Sequence, residues 1–320
     1  MRLIRHTETV PPELSGGVIA IGNFDGVHRG HQAVINQAKG IARELKAPMV
    51  VLTFEPHPRS YFQPDGAPFR LTSLRSKAHL METLGVDGLV VLHFNRALAS
   101  TEADVFVARI LTRDLGAAHV VVGEDFAFGR GRKGDVALLK DMAGDCGFAV
   151  SPAVQVRDED GAAISSNTIR AFLKDAKPEA AARLLGRPWE VDGRVVRGDG
   201  RGQELGFPTA NVRMDGTLLP CPGVYAVRAG IDAGRQTRWF DGAANFGVRP
   251  QFQGEDPRLE VFLMDFSGDL YGRTLRVSFV AYLRPEAAFH SVAALVEQME
   301  RDVLDARARL KAAVLTAKRG

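Results

Sequence analysis

Cysteine is almost missing from this 320-residue chain, which carries only Cys146 and Cys221. Two thiols exclude a disulfide framework and fit a reducing compartment, and both are expected to be buried. Long apolar runs are missing too: none approaches the roughly 20 residues that span a bilayer, and residues 1–10 lack the apolar core of a signal peptide. The expectation is a cytoplasmic protein with no membrane association. Charge of one sign is also scarce, since 41 Lys and Arg against 38 Asp and Glu leave a net charge of +3. That is too little to mark a nucleic-acid binder, although it suits small anionic substrates. A nucleic-acid reading would rest on the loop 130–133 and on Lys311, Lys318 and Arg319. It would require aromatics interleaved among the arginines, and here the aromatics, 8% of the chain, lie mostly in apolar strands. Internal repeats and low-complexity segments are absent.

What is present is enough apolar content, 45%, for the two cores that this length suggests. The first half alternates apolar strands near 18–21, 49–54, 88–94, 119–123 and 148–154 with amphipathic helices. One of these covers 73–84, and another opens at Thr101-Glu102-Ala103-Asp104 like a capping box. This alternation implies a doubly wound parallel sheet. After a helix at 178–185 the texture changes to short β-rich runs separated by glycines, near 191–196, 224–229, 238–244, 259–266 and 275–282, which implies a small closed barrel. Domains of residues 1–186 and 187–320 follow. A last helix carries Val292, Leu295, Val296, Met299, Val303, Ala306 and Leu310 at helical spacing, a core-packing stripe.

The densest chemistry is Ile21-Gly22-Asn23-Phe24-Asp25-Gly26-Val27-His28-Arg29-Gly30-His31, between a strand and a helix. Glycines let backbone approach a ligand, and a helix start offers free amide donors and a positive dipole end to phosphate. His28 and His31, three apart, share one helix face. Two satisfied surface histidines would be the plain alternative for so short a pattern. Three further segments accompany it: Thr53-Phe54-Glu55-Pro56-His57-Pro58 at a strand end, residues 122–134 after another strand, and Ile164-Ser165-Ser166-Asn167-Thr168-Ile169-Arg170 at a helix start. Hydroxyls in the last can cap the helix or hold a triphosphate. In the second half, Leu205-Gly206-Phe207-Pro208-Thr209-Ala210-Asn211 follows the loop Gly198-Asp199-Gly200-Arg201-Gly202. Thr209 and Asn211, two apart in extended chain, point to one side and can together meet a hard cation such as Mg²⁺. Glu260 lies between apolar neighbours on a strand read as buried. Desolvation would raise its pKa toward that of a general base, with a salt bridge to an arginine as the alternative.

GNFDGVHRGH resembles the HxGH signature of nucleotidyltransferases, and PTAN resembles the motif of riboflavin kinases. With residues 222–225, 244–250 and 259–266 in order, nearly the whole chain resembles the bacterial bifunctional riboflavin kinase/FMN adenylyltransferases, or FAD synthetases. The resemblance implies an α/β plus β fold: a doubly wound nucleotidyltransferase domain, then a riboflavin-kinase barrel with a C-terminal helix. It implies phosphorylation of riboflavin to FMN and adenylylation of FMN to FAD, with ATP and Mg²⁺. Partners would be small molecules only, in a monomer or weak homo-oligomer. An enzyme with one working module is the nearer alternative.

For the adenylyltransferase the resemblance assigns His28 and His31 to charge stabilisation. It gives ATP Gly22, Phe24, Asp25, Gly30, Ser165, Ser166 and Arg170, and gives the flavin His57, Pro58, Phe62, Asp125 and Phe128. For the kinase it assigns Glu260 as base, Gly198, Gly202, Gly206, Pro208, Thr209 and Asn211 to ATP, Thr209 and Asn211 to the metal, and Asn245, Arg249 and Arg284 to the flavin. The chain departs from the family pattern at Asn167, where Thr is usual, at Val248 and Gln251 in place of threonines, and at Phe262 where histidine is frequent.

Overall fold

A computed structural model describes every residue except 6, 8–9, 199–200, 234–235, 250–255 and 318–320, and only the backbone of 201, 203, 233, 248–249, 256 and 315–317. The chain forms two compact units, Met1–Ala67 with Leu74–Ser165, and Pro68–Ser73 with Ser166–Gly320. The sequence boundary at 186 differs from this division in two places. Helices expected in the first domain belong to the second unit, and so does a six-residue strap from the middle of the first half.

The first unit is a six-stranded parallel sheet of β1 (Arg2–Ile4), β2 (Val18–Ile21), β3 (Met49–Glu55), β4 (Gly88–His93), β5 (His119–Gly123) and β6 (Ala149–Ala153), in the order β1-β4-β3-β2-β5-β6. Every residue of β2 is 2% exposed or less, as an interior parallel strand covered on both faces must be. Side chains alternate between the two cores. Ile19, Ile21, Val50 and Leu52 pack on one face, where α5 (Ala103–Val105), the π-helical run Phe106–Asp114 and α6 (Val136–Cys146) lie. Val18, Ala20, Met49 and Val51 pack on the other, against α1 (Arg29–Leu45) and α3 (Leu74–Thr83). Short helices α2 (Pro58–Phe62) and α4 (Arg96–Ala99) follow β3 and β4. The chain steps outward from β2 through β3 to β4 and then returns to the other side of β2 as β5. The carboxyl ends of β2 and β5 are therefore the topological switch point, where ligands of open α/β sheets bind.

The doubly wound sheet stands as expected, with β1 added. The capping box does not form. Thr101 turns its hydroxyl back to the Ala97 carbonyl of α4 at 2.9 Å, Glu102 occupies the cap position of α5 without a side-chain bond to that helix, and Asp104 accepts from the Val105 amide.

The second unit begins with α7 (Ser166–Lys174) and α8 (Pro178–Leu185) and closes a wholly antiparallel barrel of β7 (Trp189–Val196), β8 (Thr209–Val212), β9 (Gly223–Ala233), β10 (Gln236–Arg249), β11 (Asp256–Leu263) and β12 (Thr274–Arg284). A one-turn helix α9 (Arg201–Glu204) precedes β8, and α10 (Val292–Ala317) ends the described chain. Trp189, Tyr225, Phe246, Leu259 and Phe279 are buried, with the Trp189 and Phe279 ring centroids 4.9 Å apart. Ala306 and Leu310 of α10 pack instead on Ala226, Ala243, Met264 and Ala281. The strap 68–73 joins this unit through backbone: the Leu218 amide donates to the Arg70 carbonyl at 2.8 Å, and the Trp189 indole N–H to the Leu71 carbonyl at 2.9 Å. Cys146 and Cys221 are free, and half-buried rather than buried.

Candidate active sites

In the first unit, the turn after β2 bends sharply. Phe24 and Val27 have φ of 48° and 43°, the left-handed region, at a cost of about 1–2 kcal/mol per non-glycine residue. Phe24 folds its ring back over Gly22, where an added Cβ would meet it at 3.2 Å. His28 then caps α1, its Nδ1 accepting the His31 amide at 3.3 Å. That bond leaves the His28 proton on Nε2. The two imidazoles stack with centroids 3.6 Å apart and planes 20° from parallel, and the Phe24 ring meets His31 edge-on at 5.3 Å. The structure thus brings Gly22, Phe24, Asp25, His28, Gly30 and His31 together at one helix start beside the switch point. Ile164, just before Ser165, joins them: its carbonyl would lie 3.6 Å from a Cβ on Gly30.

Other expected residues are placed as follows. His57 caps α2, accepting the Arg59 amide at 3.1 Å, and Pro58 is the first residue of that helix. Phe62 is 64% exposed within an aromatic group formed by Tyr61 and Phe94. Asp125 is exposed beyond β5. Phe128 is 6% exposed, stacked on Phe126 and packed against Phe106. Ser165 ends the first unit, whereas Ser166 and Arg170 lie in α7 of the second. Arg170 donates Nε to the Phe69 carbonyl and a terminal nitrogen to Asn167 Oδ1, each at 2.8 Å, so Asn167 has become its hydrogen-bond partner. Sequence reasoning missed Lys77. This α3 residue is 3% exposed and donates Nζ to the Asn23 carbonyl at 2.8 Å.

In the barrel, Glu260 is directly opposite Asn211 of β8 and Asn245 of β10, which puts three polar side chains in one row across adjacent strands. The row faces outward. Leu259 and Val261 take the barrel interior, so Glu260 is half-buried on the wall and not sunk in apolar surroundings as its neighbours suggested. Outward-facing Thr209, Asn245, Glu260 and Phe262 line one side of a cavity of about 350 Å³, and Met299 and Asp302 of α10 line the other. Arg284 also lines it, gripped by Asp302 through Nε at 2.7 Å and a terminal nitrogen at 2.6 Å, with Gln298 donating to the same carboxylate. Glu286, absent from the sequence reading, accepts from the Asn245 amide at 3.3 Å at the cavity rim.

The loop before β8 closes on Thr209 and Asn211. A Cβ on Gly198 would overlap the Asn211 amide nitrogen, and one on Gly202 would lie 2.5 Å from the Phe207 carbonyl and 3.4 Å from the Thr209 hydroxyl. Gly206 has φ of 84°, and Pro208 leads into the strand. Asp199, Gly200 and Gln251 lie outside the described residues, as do the side chains of Val248 and Arg249 and the basic tail Lys318 and Arg319. Among the described residues no group of three or more His, Cys, Asp or Glu could hold a metal ion, and no helix is long and apolar enough to cross a membrane.

Comparison with known proteins matches both halves of the chain. A family model described as FAD synthetase matches residues 10–168, and one described as riboflavin kinase matches 185–310. The chain is 44% identical to the bifunctional riboflavin kinase/FMN adenylyltransferase of Pseudomonas fluorescens over 309 residues, covering 96% of this chain and 97% of that one. The namesake of Haemophilus influenzae is 40% identical over 308 residues, at 96% and 99% coverage. A crystal structure named as a macrolide-efflux protein from Streptococcus pneumoniae matches with a TM-score of 0.83 and 33% identity, over 95% of this chain and 98% of that one. With both family models matched in order and full-length relatives at these identities, the chain belongs to the bifunctional riboflavin kinase/FMN adenylyltransferases, enzymes that convert riboflavin to FMN and FMN to FAD.

Proposed function

We propose that the two reactions are divided between the two sites, with the kinase on the outer wall of the barrel and adenylyl transfer at the start of α1. The observation that carries this is the pair Glu260 and Asn245, which line the cavity beneath α10 with Asn211 opposite Glu260 on the neighbouring strand. There the ribityl 5′-oxygen of riboflavin attacks the γ-phosphorus of ATP, its proton passes to Glu260, and the bond to ADP breaks. Asn245 and Arg284 hold the flavin, and Arg249 keeps that expected role. Gly198, Gly202, Gly206 and Pro208 shape the ATP loop.

Mg²⁺ fits the neighbouring donors. Thr209 and Asn211 offer a hydroxyl and an amide oxygen from one face of β8, and the close glycines leave no room there for a further Cβ. Bound there, the ion would neutralise phosphate charge, held in addition by ATP itself.

At the first site, an FMN phosphate oxygen attacks the α-phosphorus of a second ATP and pyrophosphate leaves. The nucleophile is already an anion, so no base is required. His28 and His31, with the free amides of α1, stabilise the charge that develops on the leaving group. Gly22, Phe24, Asp25, Gly30, Ser165, Ser166 and Arg170 serve ATP, and His57, Pro58, Phe62, Asp125 and Phe128 serve the flavin. Small molecules are the partners, the cytoplasm the site of action, and a monomer or weak homo-oligomer the working form. The test is Glu260→Gln: riboflavin phosphorylation falls by roughly 10²-fold or more while supplied FMN is still adenylylated. Equal loss of both reactions contradicts the division.

A further inference from the structure

Lys77 is a buried cation that neither reaction uses directly. It lies on the apolar stripe of α3, four residues before Met81, and both are buried. Desolvating an ammonium is costly unless it is paired and hydrogen-bonded. At the carboxyl ends of β2 and β3 its Nζ meets the Asn23 carbonyl at 2.8 Å, the Thr53 hydroxyl at 3.4 Å and Glu55 Oε1 at 3.8 Å. The Thr53 hydroxyl also donates to the Asn23 carbonyl, at 3.2 Å. Two donors from two different elements therefore converge on one main-chain oxygen. That oxygen belongs to the residue immediately before Phe24, where the chain enters its left-handed bend, and the Phe24 ring bears on His31.

We infer that Lys77 is a positioning residue for adenylyl transfer. By holding the Asn23 carbonyl it fixes the bend at Phe24 and, through that ring, the stacked pair His28 and His31. Strained backbone persists only where surroundings over-determine it, and the lysine and threonine supply that constraint. The inference rests on adenylyl transfer taking place at α1. Small displacements of charge-stabilising groups lower the rate of the chemical step more than they weaken substrate binding.

The experiment is steady-state kinetics of both reactions on the full chain, with Lys77→Met, which keeps length and apolar volume, and Thr53→Val, which removes the second donor at equal size. For each, kcat for FAD formation from FMN falls by roughly 10- to 100-fold. KM for FMN changes less than twofold, and riboflavin phosphorylation on the same molecules is unchanged. A folded Lys77→Met protein with wild-type kcat, or a loss confined to KM, overturns the inference. If Lys77→Met does not fold, Thr53→Val decides: wild-type kcat there overturns it. His31→Ala measured alongside separates the two levels. An unimpaired His31→Ala removes the reading on which the inference rests, whereas an impaired His31→Ala beside an unimpaired Lys77→Met removes the inference alone.

Discussion

At the scale of single residues, the two histidines carry different local duties. His28 uses Nδ1 to cap α1, while His31 stacks on it from inside the first turn. Loss of His28 therefore removes a cap, worth about 1 kcal/mol of helix stability, along with its catalytic contribution. His31→Ala is the cleaner probe: kcat for FAD formation should drop by roughly 10² to 10³-fold with little change in KM for FMN, read by steady-state kinetics beside an unaltered kinase reaction. His119 gives a pH prediction. It is half-buried at the head of β5 with Nε2 2.9 Å from the Ser151 hydroxyl, and burial lowers its pKa below the ordinary 6.5. A base with a lowered folded pKa stabilises the fold fully above its unfolded value and loses that contribution as pH falls through the folded one. Thermal melts between pH 8 and 5 should show His119→Gln losing less Tm on acidification than wild type; identical slopes would contradict this. These residue-level facts were unevenly legible. GNFDGVHRGH announces its site because glycines and histidines are rare in that density, whereas Lys77 reads as a solvated helix charge unless its place in the Leu74, Lys77, Met81 stripe is noticed. Glu260 was found as a residue but read as buried where it is half-buried, because a strand flanked by apolar residues looks buried until its alternation is traced around the closed barrel.

At the scale of elements, α10 does more than finish the chain. Its apolar side covers the barrel, and Asp302, 6% exposed, holds Arg284 at the cavity edge. Asp302→Asn leaves a guanidinium without its carboxylate, a loss of about 2 kcal/mol after allowance for the partial exposure of Arg284. It should also raise KM for riboflavin several-fold, because the arginine is no longer aimed at the cavity. Denaturant melts and kinase kinetics on one preparation check both. Only the later part of the stripe in α10 is core packing: Ala306 and Leu310 are buried, whereas Val292 is 63% exposed and Leu295, Met299 and Val303 line the cavity. The hold on Arg284 was not readable from spacing, because Asp302 and Arg284 meet only once the barrel has closed. The strand β1 escaped notice for a different reason: it is three residues long and two of them are exposed, so no alternation can show.

At the scale of the whole molecule, the texture change near residue 186 marks where β-rich sequence begins, yet the second unit starts at Ser166 and borrows 68–73. Helix α8 explains part of the difference. Its residues Ala181, Leu184 and Leu185 are buried, and burying two leucines contributes about 3 kcal/mol or more. A fragment 166–320 should thus be markedly more resistant to urea than 187–320, and still less resistant than the same unit in the full chain, because the Trp189 indole lacks the Leu71 carbonyl. Equal midpoints for the two fragments would show that α7 and α8 do not support the barrel. A six-residue strap amid α/β sequence has no compositional mark, and contacts such as the backbone pairing of Arg70 with residues 217 and 218 reveal where it belongs.

The division of labour between the two sites is tested most directly by chromatographic separation of flavins after the purified protein meets riboflavin, ATP and Mg²⁺. Wild type should give FMN first and then FAD. Glu260→Gln should leave riboflavin unchanged yet convert added FMN to FAD, and His31→Ala should stop at FMN. Loss of both conversions in either folded variant would contradict it.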